Sequence, residues 1–368
     1  MIRTFKQRRR LSALLLLITA GTFLTASVAY SKTLRKEVKK KYTLAGEIQL
    51  VIKNAKGQTI VVGKDGLESI HILATKIVNT KKAEKAQELM DQLTFDVEGD
   101  GNMVRIISRY PDSHKEEKSI WSFFKGLKHS TAIDYMIEVP SEFSVGVIST
   151  SGDVEISSIE GDTKIKGTSG DVRVREIGGS CKIELTSGDV EIKDIEGETR
   201  VGLSSGSAFV DGSGDGLILH ATSGDVQAFN IGGDAEVKLV SGDLLIDGCR
   251  GDLMSVSSSG DIVIKEIGGS ADVNASSGSI EIFLMVDDEK KYNLNTCSGD
   301  VDVFYKSPKN IGFFLDVNTM SGTIDGNMEI KLEKVSRRQL KGIVGNGRGS
   351  LIIATSSGDI TIHRRNGK

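Results

Sequence analysis

The sequence predicts an all-β fold: a parallel single-chain β-solenoid with 18-residue coils of two short strands, and one short helix in the N-terminal cap region. Three observations predict it. Ser-Gly-Asp or a near variant begins at Ser151, Ser169, Ser187, Ser205, Ser223, Ser241, Ser259 and Ser277, always 18 residues apart. Between these marks apolar residues alternate with period two, the signature of strands with one buried face. The 368 residues include 42 Gly and only 3 Pro, so tight turns are built with glycine. A fixed period held over many copies means stacked supersecondary units. It leaves two cross-sections open, a flattened coil of two strands and a triangular one of three faces.

From the N-terminus, residues 1–29 read as a signal peptide. Arg3, Lys6, Arg8, Arg9 and Arg10 precede an apolar run from Leu11 to Ala29, which ends in the small residues Ser27-Val28-Ala29. An uncleaved anchor is the rival reading, and it would be the chain's one contact with a membrane. Either way the body is exported, to the periplasm, the cell envelope or the medium. Residues 30–43 are expected as a basic linker, with Lys32, Arg35, Lys36, Lys39, Lys40 and Lys41. Residues 44–148 are expected as the N-terminal cap and first coils. Within them Glu47–Ile52, Thr59–Val62, Ile70–Ala74, Leu93–Val97, Met103–Ile107 and Ile133–Val139 read as strands. Lys81–Leu93 has helical spacing, with Thr80 as N-cap.

Residues 149–298 form the regular solenoid. Each coil starts with a strand such as Val172/Val174 or Val190/Ile192. A second apolar column follows (Ile159, Ile177, Ile195, Ile231, Ile267), with glycine two residues later at Gly161, Gly179, Gly197, Gly233 and Gly269. Alternation then resumes, as at Cys181/Ile183 and Thr199/Val201. Glycine is expected to supply the positive φ at both turns. Coils should stack as parallel strands about 4.8 Å apart. Looser copies at Ser298, Ser321 and Ser357 place irregular final coils and a C-terminal cap in 299–368.

Net charge −3 excludes nucleic-acid binding by bulk electrostatics. Without residues 1–29 the remainder holds 42 bases and 50 acids. The recurring acids Asp153, Asp171, Asp189, Asp225, Asp243, Asp261, Asp300 and Asp359 would stack one per coil. Each turn offers one glycine and one carboxylate, so turn chemistry rather than calcium is expected, and no metal or cofactor is assigned. Cys181 and Cys249 lie nearly four coils apart, about 18 Å at the coil spacing and beyond the ~7 Å reach of a disulfide. With Cys297 they are expected as buried free thiols. His71, His114, His129, His220 and His363 are scattered, and no acid pair sits in a cleft outside the period. The chain is therefore read as no enzyme.

Two kinds of outward residue stand out. Lys164, Lys182 and Arg200 form a basic column. Phe209, Leu245 and Val263 form an apolar one, with Ile218, Met254 and Val256 on the opposite face. Outward apolar residues need a cover or a partner. The segment around Trp121 and Phe124 is a candidate for either, and these residues with Phe209, Leu245 and Val263 make the candidate partner surface.

The chain resembles the bacterial cell-envelope β-solenoid proteins that carry the name "putative adhesin", a domain-of-unknown-function family. The resemblance is carried by Asn54-Ala-Lys-Gly57, the helix near 81–93, Tyr135-Met-Ile-Glu-Val-Pro140, the Ser-Gly-Asp ladder, Gly345-Asn-Gly-Arg-Gly349 and Thr355-Ser-Ser-Gly-Asp-Ile360. It implies an extracytoplasmic β-solenoid without established enzymatic activity. The expected function is a noncatalytic exported solenoid presenting a binding surface to an envelope protein or polymer. The alternatives are an accessory or regulatory protein of an envelope-stress system without external ligand and, behind it, a polysaccharide-active β-helix enzyme.

Overall fold

The computed structural model describes residues 32–80, 83–111, 130–287, 289–308 and 311–365. The expected signal peptide and the segment holding Trp121 and Phe124 lie outside these residues. The N-terminal elements are β1 (Lys32–Thr43), β2 (Gln49–Lys56), β3 (Thr59–Lys64), β4 (Ser69–Thr80), α1 (Ala83–Gln92), β5 (Thr94–Asp100), β6 (Met103–Arg109) and β7 (Ser130–Pro140). The first coils of the repeat hold β8 (Ser144–Ser151), β9 (Val154–Ile159), β10 (Thr163–Ser169), β11 (Val172–Ile177), β12 (Cys181–Ser187), β13 (Val190–Ile195), β14 (Thr199–Ser205), β15 (Ala208–Ser213) and β16 (Gly216–Ser223). They continue with β17 (Val226–Ile231), β18 (Asp234–Ser241), β19 (Leu244–Cys249), β20 (Leu253–Ser259), β21 (Ile262–Ile267), β22 (Ala271–Ser277), β23 (Ile280–Met285), β24 (Lys291–Ser298) and β25 (Val301–Lys306). The last elements are β26 (Phe313–Ser321), β27 (Ile324–Gly326), β28 (Lys331–Ser336), β29 (Gln339–Val344), β30 (Gly349–Ser357) and β31 (Ile360–Arg364).

Successive strands of the repeat fall alternately into two long sheets, one of 15 strands (sheet I, with β9, β11 and so on) and one of 16 (sheet II, with β8, β10 and so on). The coil is therefore two-sided, and the triangular cross-section is not adopted. Neighbouring coils pair in parallel, in register, at a step of 18 residues, as in Val172↔Val190 and Ile183↔Val201. Between the sheets lies a dry core. One coil contributes Val190, Ile192 and Ile195 from sheet I and Thr199, Val201 and Leu203 from sheet II, all buried. Truncating one such isoleucine to alanine costs about 2–5 kcal/mol.

The turn after each sheet I strand departs from expectation. The glycines two residues beyond the isoleucine column do not carry the positive φ. The residue before the isoleucine does: Ser158, Glu176, Asp194, Asn230 and Glu266 have φ of 51–58°, and Gly212 and Gly248 in the same column have φ 88°. Pairing skips this residue, running from Arg175↔Lys193 to Ile177↔Ile195. The left-handed residue steps out of the ladder and swings the next isoleucine into the core. Gly179 is needed for a different reason. A Cβ there would stand 2.7 Å from the carbonyl carbon of Gly161 one coil away, so the turns stack too closely for any side chain.

Both ends of the solenoid are interleaved. In sheet II the order runs β28-β29-β26-β30-β24, so the last coil in sequence, β30–β31, lies between β24–β25 and β26–β27. At the other end β2–β3 lies between β6–β7 and β8–β9. Buried polar contacts fix this inserted coil. Asn54 donates to the Ile133 carbonyl at 2.8 Å and accepts from the Tyr110 hydroxyl at 2.7 Å and the Ser108 hydroxyl at 3.1 Å. Burial pushes the Tyr110 and Tyr135 hydroxyls well above the ordinary tyrosine range, so both stay protonated donors. Helix α1 closes the N-terminal end of the core with Ala86, Leu89 and Met90. The stretch expected as a basic linker is, from Lys32, the antiparallel edge strand β1 of sheet I. Lysine along an edge discourages pairing with another chain.

Because the coil is the repeating unit, deleting residues 169–186 should leave a shorter protein that still unfolds cooperatively. Deleting 169–177 should place sheet II strands in sheet I and abolish cooperative melting. Equal melting of the two would exclude the two-strand coil.

The two turn positions should also separate in urea titrations. Glu176→Gly is expected to leave stability unchanged or raise it by up to about 1 kcal/mol, and Glu176→Val to lower it by roughly 1–2 kcal/mol. Gly179→Ala should cost more than either, because backbone must move. If Gly179→Ala proves no worse than Glu176→Val, close stacking is not what selects that glycine.

Candidate interaction surface

The recurring acids are occupied by the fold. Each carboxylate accepts the backbone amide of the equivalent residue one coil on: Asp171 N–H to Asp153 at 2.9 Å, Asp189 N–H to Asp171 at 3.0 Å, Asp261 N–H to Asp243 at 2.9 Å. Ser207 and Ser279 still donate to the aspartate below them, at 2.9 and 2.8 Å. In the last coils Asp359 accepts both the amide (2.7 Å) and the hydroxyl (2.9 Å) of Thr323, which hold its carboxyl below the usual range. The opposite turn carries a second ladder that the period-based reading missed. Asp162 accepts the Ser180 amide at 2.8 Å, and Asp234 and Asp252 accept the Asp252 and Ser270 amides at 2.8 and 2.7 Å. Its residues are spaced by 18 like the first, but Asp, Ser, Glu and Gly all occupy the position, as at Asp162, Ser180, Glu198 and Gly216. An acidic groove follows the isoleucine turn and includes Glu160, Glu176, Asp194, Glu196 and Glu266.

The outer face of sheet II is charge-compensated. Lys164, Lys182 and Arg200 do line up as one row. Lys182 pairs with Glu184 at 3.0 Å, however, and Arg200 with Glu198 at 2.7 Å. The row then continues into Ile218, Glu236 and Met254. Lys166 and Lys182 together hold the Glu184 carboxyl below its ordinary range. This is a solvated mixed face, not a cationic track.

The outer face of sheet I is different. The register places Phe209, Leu245 and Val263 in one row, as expected, with the exposed Gln227 between Phe209 and Leu245; the three apolar residues are half-buried by their neighbours. The next outward row, two residues on, brings Phe229 against Phe209 with ring centroids 5.6 Å apart. Further along that row Phe283 stacks on Phe304 at 4.8 Å, and Phe304 on His363 at 5.1 Å. Arg365 lies 4.4 Å over the Phe283 ring and Lys193 5.5 Å over that of Phe209. Sequence reasoning missed Phe229, Phe283, Phe304 and His363. Phe229 and Phe283 keep the period but are separated by Asp247 and Lys265. The step between Ser277 and Ser298 is longer than 18 residues and His363 comes from the interleaved coil, so Phe283, Phe304 and His363 adjoin in space though not by the period. Apolar and aromatic side chains thus form two patches on this face, Phe209, Phe229, Leu245 and Val263 in mid-length and Phe283, Phe304 and His363 toward the C-terminal end, set among charged residues such as Asp211, Asp247, Lys265 and Glu281.

These features define a parallel β-solenoid with amide-engaged turn carboxylates and aromatic patches on one outer face. The sequence profile of the family described as Toastrack DUF4097 matches residues 137–213 and 213–363, and the chain belongs to that family. Among proteins of curated function none matches. Solved structures similar in fold include a "putative adhesin" from Bacteroides fragilis (13% identity, 89% of this chain and 97% of that one, TM-score 0.28). Another is a "putative adhesin" from Parabacteroides distasonis (12%, 90% and 97%, TM-score 0.33). A third is a "putative lipid binding protein" from the same species (14%, 90% and 97%, TM-score 0.32).

The cysteines divide. Cys181 and Cys249 are buried and free at the expected register positions, Thr163↔Cys181 and Cys249↔Ile267. Cys297, expected to be buried, is exposed, because residue 297 is an outward position beside the turn. Burial pushes the Cys181 thiol up to about 12 and that of Cys249 up to about 11. Thiol titration of the native protein at pH 8 should therefore find Cys297 alone, with the other two appearing on unfolding. Rapid native labelling of Cys181 or Cys249 would refute the register.

Proposed function

We propose that this chain is an exported, noncatalytic, adhesin-like solenoid that presents the outer face of sheet I to an envelope protein or polymer. The observation that carries the reading is two aromatic and apolar patches, Phe209 and Phe229 with Leu245 and Val263, and Phe283 stacked on Phe304, at outward positions the repeat leaves free. Flat faces suit extended partners, held by a few anchors. Stacked rings capped by Arg365 offer such a partner both a π surface and a cation. The noncatalytic reading is supported by the recurring carboxylates, which are committed to backbone amides. Export is supported by the charge and hydropathy of residues 1–29. No helix among the described residues is long and apolar enough to cross a membrane.

The test is Phe209→Ser with Leu245→Ser, and separately Phe304→Ser, measured by co-sedimentation with purified cell-wall material and by cross-linking on whole cells. Binding should weaken at least about 10-fold, while melting shifts by no more than a few degrees. Undiminished binding sinks the proposal. So does a large loss of stability, which would mean that the chain itself covers this face.

A further inference from the structure

The sheet edges differ in make-up: β28 carries Lys331, Lys334 and a bulge, but beside two exposed apolar residues. The N-terminal edge of sheet I is the lysine-rich β1, whose Lys40 points at the Phe95 ring, and the C-terminal edge of sheet I, β27, is only 3 residues long. The C-terminal edge of sheet II is β28, with β29 as its one neighbour. All 6 residues of β28 are exposed, among them Leu332 at 52% and Val335 at 65%. Its outer row of N–H and C=O groups faces away from the sheet. A bulge between Leu332 and Lys334 shifts the register, so that Leu332 pairs with Gly342 and Val335 with Leu340. Gly342 and Leu340 in turn pair with Leu315 and Val317, which face the core. The bulge therefore turns both Leu332 and Val335 to the core side of sheet II, beyond the point where sheet I ends.

We infer that β28 pairs with β28 of a second copy, antiparallel about a two-fold axis that passes between the two strands, level with Glu333 and Lys334. The strand is self-complementary in that register. Lys-Leu-Glu-Lys-Val-Ser read against its own reverse sets Leu332 opposite Val335 and Glu333 opposite Lys334, each twice by symmetry. The apolar pairs share one face and would close the open C-terminal end of both cores. The Glu–Lys pairs supply charge complementarity that an unrelated strand would match only by chance. This association does not depend on the sheet I surface.

The experiment is sedimentation velocity of the full chain, kept in mild detergent so that its apolar N-terminal stretch does not associate. Two six-residue edges make a small interface of the transient class, so the titration spans about 1 µM to about 1 mM. A monomer–dimer equilibrium is expected. Glu333→Lys or Lys334→Glu alone should weaken it roughly 10-fold by facing like charges, and the exchange Glu333→Lys/Lys334→Glu should restore it to within about three-fold. Melting curves of the three variants check that each is folded. In a Cys297→Ser background, Leu332→Cys with Val335→Cys should give a disulfide-linked dimer. A chain monomeric throughout the range, a dimer indifferent to the single charge changes, an exchange that fails to restore it, or an open polymer series in place of a dimer would each overturn the inference.

Discussion

Every coil turns on a glycine seated directly over the carbonyl of the glycine one coil away. At Gly188, φ is 126° and a Cβ would stand 2.1 Å from the Gly170 oxygen. The same contact recurs in single file from Gly57 and Gly152 through the repeat to Gly299, Gly358 and Gly322. Much else follows from this close approach. Turns that touch backbone to backbone hold the strands in register, since a one-residue slip would put a side chain where none fits. Fixed register brings each aspartate under the next coil's amide and makes a potentially repulsive column of carboxylates into a column of acceptors. It also stacks outward side chains into straight rows, which is why isolated phenylalanines in the sequence become a surface.

The glycine file also records the spatial order of the coils, and that order is not the order of the chain. Gly57 lies under Gly152, and Gly358 lies between Gly299 and Gly322. At each end the chain runs past a gap and another segment fills it. A solenoid whose coils contact only their neighbours frays from its ends. Interleaving ties each end to residues far away in sequence, at the cost of closing longer loops. The N-terminal insertion is further fixed by the Asn54, Ser108, Tyr110 and Tyr135 network, whose buried members lack partners in any other register.

The regular coils were legible in the sequence because inward positions repeat. Val172, Val190 and their equivalents can hardly be anything else. The helix was legible from Ala86, Leu89 and Met90. The interleaving was not, because Gly358 looks like one more copy after Gly322 and nothing local states which coil it touches. The left-handed residues were hidden for another reason: Ser158, Glu176 and Glu266 are poor formers of that conformation, held there by tertiary context. Asn230, Gly212 and Gly248 in the same column were the available signal. Of the candidate surface, the row of Phe209, Leu245 and Val263 followed from the period. Phe229 and Phe283 keep the 18-residue period, three coils apart, but charged residues fill the positions between them. Phe304 and His363 were hidden because the longer step after Ser277 and the interleaved coil break the count.

Inward positions are fixed by packing and turns by stacking, so the side chains left free to serve a partner are the outward ones. On sheet II they pair acid with base across neighbouring coils, which consumes their charge within the molecule. On sheet I they do so in the first coils, as with Arg175 and Glu155, but further along two aromatic and apolar patches interrupt the charge. The two sheets also end differently, one in a short strand and the other in an overhanging hairpin. These asymmetries bear on each other. A two-fold axis between the paired β28 strands and normal to sheet II would keep the core side of that sheet on the same side in both copies. The outer faces of both copies of sheet I would then point the same way. Two flat faces with apolar patches presented together convert a weak contact with an extended polymer into a bivalent one, without any new contact within either copy. A self-pairing edge at one end and an anchoring face along the side would therefore serve a single purpose.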